Sequence, residues 1–261
     1  MMMHSLKGLK DTVSIVTVTP HPDDHLQRRW MISNELLGDG SSASLKSDEG
    51  EFKSIRDIYE KEEHDHSNCN NSSIPLLYDK QHECIVNNNT GDIATMLNTC
   101  FNENGLCQNP ALNLLSANDT TNNAVVKWLS PLMQLTPSMF PPYRYDVSPR
   151  ELEFAFHRAT VILQRQRYLT SHSFVTEADL RLFCTLIRYE EVYSKFLQQP
   201  PELMHNSVLM DYCRDIYQME GVKETVNMKE IRTHFLGHHS FGGSSSVTES
   251  LLEKPHKRHL L

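Results

Sequence analysis

The second half of the chain carries a helical rhythm that the first half lacks. In RELEFAFHRATVILQRQRYL, the apolar residues Leu152, Phe156, Ala159 and Leu163 recur at three- and four-residue steps and share one helix face. DLRLFCTLIRYEEVY is apolar on most sides, which suits a helix at the buried centre of a helical domain. FVTEAD, just before it, sets the start. Thr176 is an N-cap whose hydroxyl can accept from the N–H of Asp179, while the Asp179 carboxylate reaches back to the N–H of Thr176. Val175 and Leu180 flank this capping box as a hydrophobic staple.

The first half reads differently. VSIVTVTP, residues 13–20, is β-branched and ends in proline, so it predicts a strand arriving at a loop. NELLGDGSSASLKSDEG (34–50) predicts a loop, and SIRDIYEK a helical turn or two. SIPLLYDKQHECIVNNNTGDIATMLN (73–98) places two short apolar runs around the polar DKQHE, a β-hairpin. A helix with Ile93, Met96 and Leu97 follows, behind a polar start suited to capping. From 102 to 124 asparagine is frequent and no period survives, which marks a linker. The expected layout is an α/β domain over 1–101, a linker over 102–124, an all-α domain over 125–240 and a disordered tail over 241–261.

Composition narrows the function classes. With 261 residues the chain can bury a sizeable core, and 39% hydrophobic with 22% charged is ordinary for a soluble protein. A net charge of −8 argues against nucleic acid as a partner. No apolar run is long enough to cross a bilayer and MMMHSLKGLK lacks the apolar stretch of a secretory signal, so no membrane partner and a cytoplasmic location are expected. Six cysteines, at 69, 84, 100, 107, 184 and 213, show no disulfide framework and are expected reduced. Among 14 histidines, His64 and His66 with Cys69, and His82 with Cys84, are spaced closely enough to chelate, yet the paired spacing of a structural zinc site is not met. No metal is expected. The basic KPHKRH reads as a solvated end.

Three separated blocks, IPLLYDKQHECIVNNNTGDI, TEADLRLFCTLIRYEEVY and DYCRDIYQMEGVKETVNMKEIRTHF, agree in order and spacing with one family. From about Leu6 to His239 the chain resembles the glutathione transferases, most closely the glutathionyl-hydroquinone reductases of the xi class. The resemblance implies a thioredoxin-like α/β N-terminal domain, here without its first strand, followed by an all-α glutathione transferase C-terminal domain.

It also implies a site, residue by residue. Pro75 matches the family's cis-proline, so Ile74 would bind the cysteinyl part of glutathione through its main chain, as an added strand. Asn89 and Thr90 match the Glu-Ser pair that holds the γ-glutamyl end at a helix N-terminus. Asn89 departs from the pattern and removes the charge that would face the ligand's ammonium. Trp30 falls where a tryptophan lines the pocket, and the arginine expected near Asn71 is absent. Tyr143 and Tyr145 are candidates for the catalytic tyrosine. Phe235 and Leu236 stand where an aromatic Tyr is usual, and the tail lacks the family's Asn-Pro-Thr-Gly.

The largest departure is at the front. The family's Cys-Pro-Trp-Ala, whose thiol is activated at a helix start, has no counterpart. LKGLKDTVSIVTV matches the tail of the first helix and the second strand, so the chain is expected to be an N-terminally truncated product. Cys69 lies before the proline strand, and Cys184, inside the central helix, is expected to serve packing. The family's chemistry is a thiol exchange. A cysteine thiolate attacks the sulfur of a glutathionylated hydroquinone, a tyrosine protonates the aromatic carbon, and free glutathione resolves the mixed disulfide. The implied co-substrate is glutathione, and the implied partner is a glutathionylated small aromatic. A homodimer stays open. The alternative is a noncatalytic glutathione-binding or scaffold protein.

Overall fold

The computed structural model describes residues 1–20, 30–32, 46–47, 50–62, 73–115, 125, 127, 149–171, 173–197, 203, 205–236 and 249–261. Two compact units emerge: Lys7–Pro110 with Met1, and Ala111–Leu261 with Met2–Leu6.

The first unit runs from the end of α1 (Met2–Lys7) through β1 (Val18–Pro20), β2 (Trp30–Ile32), β3 (Lys46–Ser47), β4 (Gly50–Glu51), α2 (Ile55–Glu62), β5 (Leu77–Asp79), β6 (Cys84–Asn87) and α3 (Thr90–Thr99). Its described strands form three antiparallel pairs, β1 with β2, β3 with β4 and β5 with β6. The strand expected over 13–20 is confined to Val18–Pro20. Residues 9–13 form a turn instead, the N–H groups of Thr12 and Val13 donating to the carbonyl of Leu9 at 3.0 and 2.8 Å. The loop expected over 34–50 contains a short strand, since Lys46 and Ser47 pair with Glu51 and Gly50.

Phe52, Ile55 and Ile58 are the buried centre of this unit, and Val18, Trp30, Ile32, Tyr59, Leu76, Tyr78 and Ile85 pack on it. Helix α2 starts where it does because Ser54 and Asp57 cap it. The N–H groups of Lys53 and Ser54 both donate to Asp57 Oδ2 at 2.8 Å, and the Ser54 hydroxyl donates to Oδ1 at 2.7 Å. Burial pushes the Asp57 carboxyl up, but these donors outweigh it and hold its pKa below the ordinary value.

Residues 102–109, expected to open the linker, are bonded back along residues 7–12. Lys7 Nζ donates to Asn102 Oδ1 at 2.7 Å, the Cys107 thiol to the Lys7 carbonyl at 2.9 Å, and the Thr12 hydroxyl to the Leu106 carbonyl at 2.5 Å. A stretch without periodicity is fixed here by single polar contacts, which no pattern reports. Gly8 makes the close approach workable, because its φ of +66° suits glycine and a Cβ would lie 2.5 Å from Gln108 Cβ.

In the second unit, α4 (Pro149–Leu163) buries Leu152, Ala155, Phe156, Ala159 and Leu163, the face its periodicity predicts. Phe156 meets Tyr189 edge-on at 4.7 Å. Helix α5 (Glu177–Arg188) opens with the expected capping box, and Val175 and Leu180 are both buried beside it. Asp179 does more than cap. Its carboxylate accepts from the N–H and hydroxyl of Thr176 at 2.9 Å each, from the Leu169 N–H at 2.8 Å and from the Tyr212 hydroxyl at 3.0 Å. Burial raises its pKa despite these donors.

A buried π-turn, Tyr189–Tyr193, continues α5 into α6 (Ser194–Leu197), and α7 (Ser207–Tyr217) and α8 (Met228–Leu236) follow. The buried Glu191 takes a hydrogen bond from Arg232 of α8 at 2.7 Å, and Asp215 of α7 takes two from Arg167, at 2.9 and 2.7 Å.

Over 249–261 the end of the chain departs from the disordered, solvated tail expected over 241–261. Residues Glu249–Leu252 form α9, and Arg258–Leu260 a 3-10 turn. Leu252 is fully buried, and Arg258 is only 4% exposed. The Arg258 guanidinium donates to the carbonyls of Leu163, Gln166 and Arg167 at 2.9, 2.8 and 2.5 Å, closing the C-terminus of α4. Basic residues suggested solvent because sequence shows charge but not the carbonyls waiting for it. Residues 241–248 lie outside the described part of the chain.

Candidate functional site

The β5–β6 hairpin and the start of α3 build one corner of the first unit. The Ile74–Pro75 bond is cis, as the sequence led us to expect, and Ile74 is 39% exposed. The chain then enters β5, turns through residues 80–83 and returns along β6, with Tyr78 opposite Ile85 and Asp79 opposite Cys84. Helix α2 fastens this hairpin. Lys61 pairs with Glu83, and Glu62 Oε1 accepts from the N–H of Ile85 at 2.5 Å.

Directly after β6, the chain starts α3. Asn89 is its N-cap, in extended conformation, and its Oδ1 accepts from the N–H groups of Gly91 and Asp92 at 2.8 and 3.1 Å. Its own N–H is taken by Asn87 Oδ1 at 2.7 Å. Thr90, the first helical residue, is exposed, and among the described residues its hydroxyl has no partner. The positive end of a ten-residue helix therefore opens to solvent beside a free hydroxyl.

Tyr59 of α2 joins the two halves. Its hydroxyl donates to the main-chain carbonyl of Ser73 at 3.2 Å and accepts from Asn88 Nδ2 at 3.0 Å. Ser73 precedes Ile74, and Asn88 precedes Asn89. The proline strand and the helix mouth are thus held within reach of a single oxygen. Sequence reading missed Tyr59, since it sits in SIRDIYEK as one more apolar-face residue. The Ser54–Asp57 cap was legible in the same stretch as Ser-x-x-Asp, the signature read at Thr176.

The other expected residues divide. Trp30 lies in β2, half-buried and packed on the Phe52–Ile55–Ile58 cluster. Tyr143 and Tyr145 fall outside the described residues, as do Asn71, His64, His66 and Cys69. His82 Nδ1 lies 2.8 Å from Asp79 Oδ2 in the hairpin turn, and no group of three potential metal-ligating side chains gathers among the described residues. Cys213 is fully buried and its thiol is pushed far up by burial, Cys107 is tied to Lys7, and Cys184 lies 3.9 Å from the Met2 sulfur. None of these three sulfurs belongs to the hairpin or to the α3 mouth; Cys84, half-buried in β6, does belong to the hairpin, and Cys100 is exposed at the far end of α3. Among the described residues, no helix is long and apolar enough to cross a membrane.

No protein-family model matches the chain. Individual proteins do. Glutathionyl-hydroquinone reductase YqjG of Escherichia coli K12 is 30% identical over 274 residues, covering 99% of this chain and 77% of that protein. Glutathionyl-hydroquinone reductase PcpF of Sphingobium chlorophenolicum is 24% identical over 264 residues, covering 92% of this chain and 74% of its own. Among solved structures, glutathione-bound YqjG from Escherichia coli K-12 superposes with a TM-score of 0.79 at 26% identity, over 98% of this chain and 82% of that one. A xi-class glutathione transferase from Natrialba magadii gives a TM-score of 0.80 at 25% identity, over 100% and 78%.

Proposed function

The chain belongs to the glutathionyl-hydroquinone reductases of the glutathione transferase superfamily, and from that premise we propose that its first unit binds glutathione along the Ile74–Pro75 strand and the mouth of α3. Glutathione is the co-substrate. The cysteinyl part pairs with the main chain at Ile74, as a peptide strand pairs with a sheet edge. The γ-glutamyl carboxylate sits at the start of α3, where the helix dipole and the Thr90 hydroxyl favour an anion. Trp30 is the further candidate for lining the pocket. The observation that carries this reading is the Tyr59 hydroxyl, bonded to both Ser73 and Asn88, which keeps the two binding segments together.

The reaction of this class is reduction of a glutathionylated quinol. A thiolate attacks the glutathione sulfur, the carbon–sulfur bond breaks, and the aromatic carbon takes a proton, for which Tyr143 and Tyr145 are the candidate donors. A second glutathione then attacks the glutathione sulfur of the resulting mixed disulfide, releasing oxidised glutathione and returning the protein thiolate, so the thioether sulfur and one free thiol are joined as a disulfide while the quinol carbon is reduced. Among the described cysteines, Cys107, Cys184 and Cys213 are engaged or buried elsewhere, Cys84 lies in β6 and Cys100 at the far end of α3, and none stands at the start of a helix; the second reading is that the chain binds glutathione without turning over.

Calorimetric titration with glutathione, alongside an assay for quinol release from a glutathionylated hydroquinone, separates the readings. Binding without turnover selects the noncatalytic protein. Turnover selects the reductase and means that a sulfur of this chain serves as nucleophile. Absence of binding removes both.

A further inference from the structure

We propose that Asn104 is a site of spontaneous covalent modification, at which the side chain sheds its amide as ammonia, the Asn104–Gly105 link becomes isoaspartyl, and residues 102–109 loosen from residues 7–12. Asn104–Gly105 is the sole Asn-Gly pair in the sequence. It forms the middle of a β-turn. The Leu106 N–H donates to the Glu103 carbonyl at 3.3 Å, and the two residues between them have φ of +59° and +72°, a combination that asparagine followed by glycine tolerates best.

The reaction joins the Gly105 nitrogen to Cγ of Asn104 and breaks the bond from Cγ to the side-chain amide, which leaves as ammonia with the proton of the Gly105 N–H. Water then opens the resulting succinimide. Cleavage on the Cγ side gives aspartate, and cleavage on the main-chain side gives the isoaspartyl link, with one extra carbon in the backbone. No electrons are transferred, and water is the co-reactant. The turn meets each requirement. Among the described residues, neither the attacking nitrogen nor the Asn104 side chain takes part in a hydrogen bond. Both residues are exposed, and a Cβ built on Gly105 meets nothing within 4 Å, so space surrounds the reacting atoms. The turn is closed by a long hydrogen bond, which offers little resistance to its flexing. Other asparagines differ. The nitrogen after Asn88 is held by Asn87 Oδ1 at 2.7 Å, and the nitrogen after Asn98 lies inside α3.

The extra carbon falls between two anchors. Before the turn, Lys7 Nζ holds Asn102 Oδ1 at 2.7 Å; after it, the Leu106 carbonyl accepts from Thr12 at 2.5 Å, and the buried Cys107 thiol donates to the Lys7 carbonyl at 2.9 Å. A lengthened link cannot keep both sets of partners in place, so the Cys107 thiol is the group that modification uncovers.

The test ages the intact chain in mildly alkaline buffer, which favours the deprotonated amide nitrogen, and follows it by peptide mass spectrometry, enzymatic methylation of isoaspartate and alkylation of Cys107. The peptide carrying Asn104 should gain the mass of an amide-to-acid exchange before any other described asparagine does, and it should accept the methyl label. Gly105→Ala, whose methyl group crowds the attacking nitrogen, should suppress both signals. Once the link is isoaspartyl, Cys107 should change from shielded to alkylated, whereas Asn104→Asp, which has the charge without the extra carbon, should keep it shielded. An Asn104 that stays intact, or that reacts as fast in Gly105→Ala, overturns the site. Modified chains whose Cys107 remains shielded, or an Asn104→Asp chain in which it does not, overturn the loosening by a lengthened link. The wild-type comparison among asparagines requires no variant to fold.

Discussion

Replacing Tyr59 by phenylalanine removes one oxygen and leaves the ring packed on the Phe52–Ile55–Ile58 cluster. Two hydrogen bonds go with it, to the Ser73 carbonyl at 3.2 Å and from Asn88 Nδ2 at 3.0 Å. Both are partly solvated, so water can replace them, and each is worth about 0.5 to 1 kcal/mol net. The sum is about 1 to 2 kcal/mol. If it falls on folding, the melting temperature drops by roughly 2 to 8 °C for a chain of this size. If the fold holds and only the two segments drift apart, the same energy appears as a five- to thirtyfold weaker affinity for glutathione. Melting by circular dichroism and titration calorimetry read the two outcomes, and hydrogen exchange at residues 73–76 and 89–92 should show faster opening. Asn88→Ala removes one of the two bonds, and its effect should not add fully to that of Tyr59→Phe, because both act through one oxygen. A Tyr59→Phe protein with unchanged melting, affinity and exchange would refute the claim that this hydroxyl organises the site.

Other consequences follow from the same contacts. Gly8→Ala should cost clearly more stability than Gly105→Ala. Both positions have positive φ, but a Cβ at 8 would lie 2.5 Å from Gln108 Cβ, whereas one at 105 meets nothing within 4 Å; about 1 kcal/mol is expected at 105 and at least twice that at 8, by denaturant titration. Arg258→Ala should strand the carbonyls of Leu163, Gln166 and Arg167, lowering stability by about 3 kcal/mol and opening residues 249–261 to limited proteolysis. The folded pKa of Asp57 lies below its ordinary value, so its contribution to α2 is complete above the unfolded carboxylate pKa of about 3.9 and is lost as pH falls through the lower folded value. Asp57→Asn should flatten that acid limb in melts followed between pH 5 and 2, and an unchanged limb would place the acid sensitivity elsewhere.

Sequence alone determined what depends on local order. The apolar face of α4, the Thr176–Asp179 cap, the hairpin around DKQHE and the helix beginning at Thr90 are each written in a few consecutive residues, because spacing and capping chemistry act over one or two turns. The proline strand and its family were legible for the same reason, as short blocks of fixed order. Tertiary structure decided what depends on partners distant in sequence. Tyr59 gains its role only because Ser73 and Asn88, 14 and 29 residues away, meet its oxygen. Asp179 becomes a buried acceptor only when Leu169 and Tyr212 turn their donors toward it. Arg258 is buried only because the end of α4 offers carbonyls 91 to 95 residues back along the chain. A hydrogen bond has a range of about 3 Å and no memory of sequence separation, so a polar side chain declares its reactivity in the sequence and its partner only in the fold.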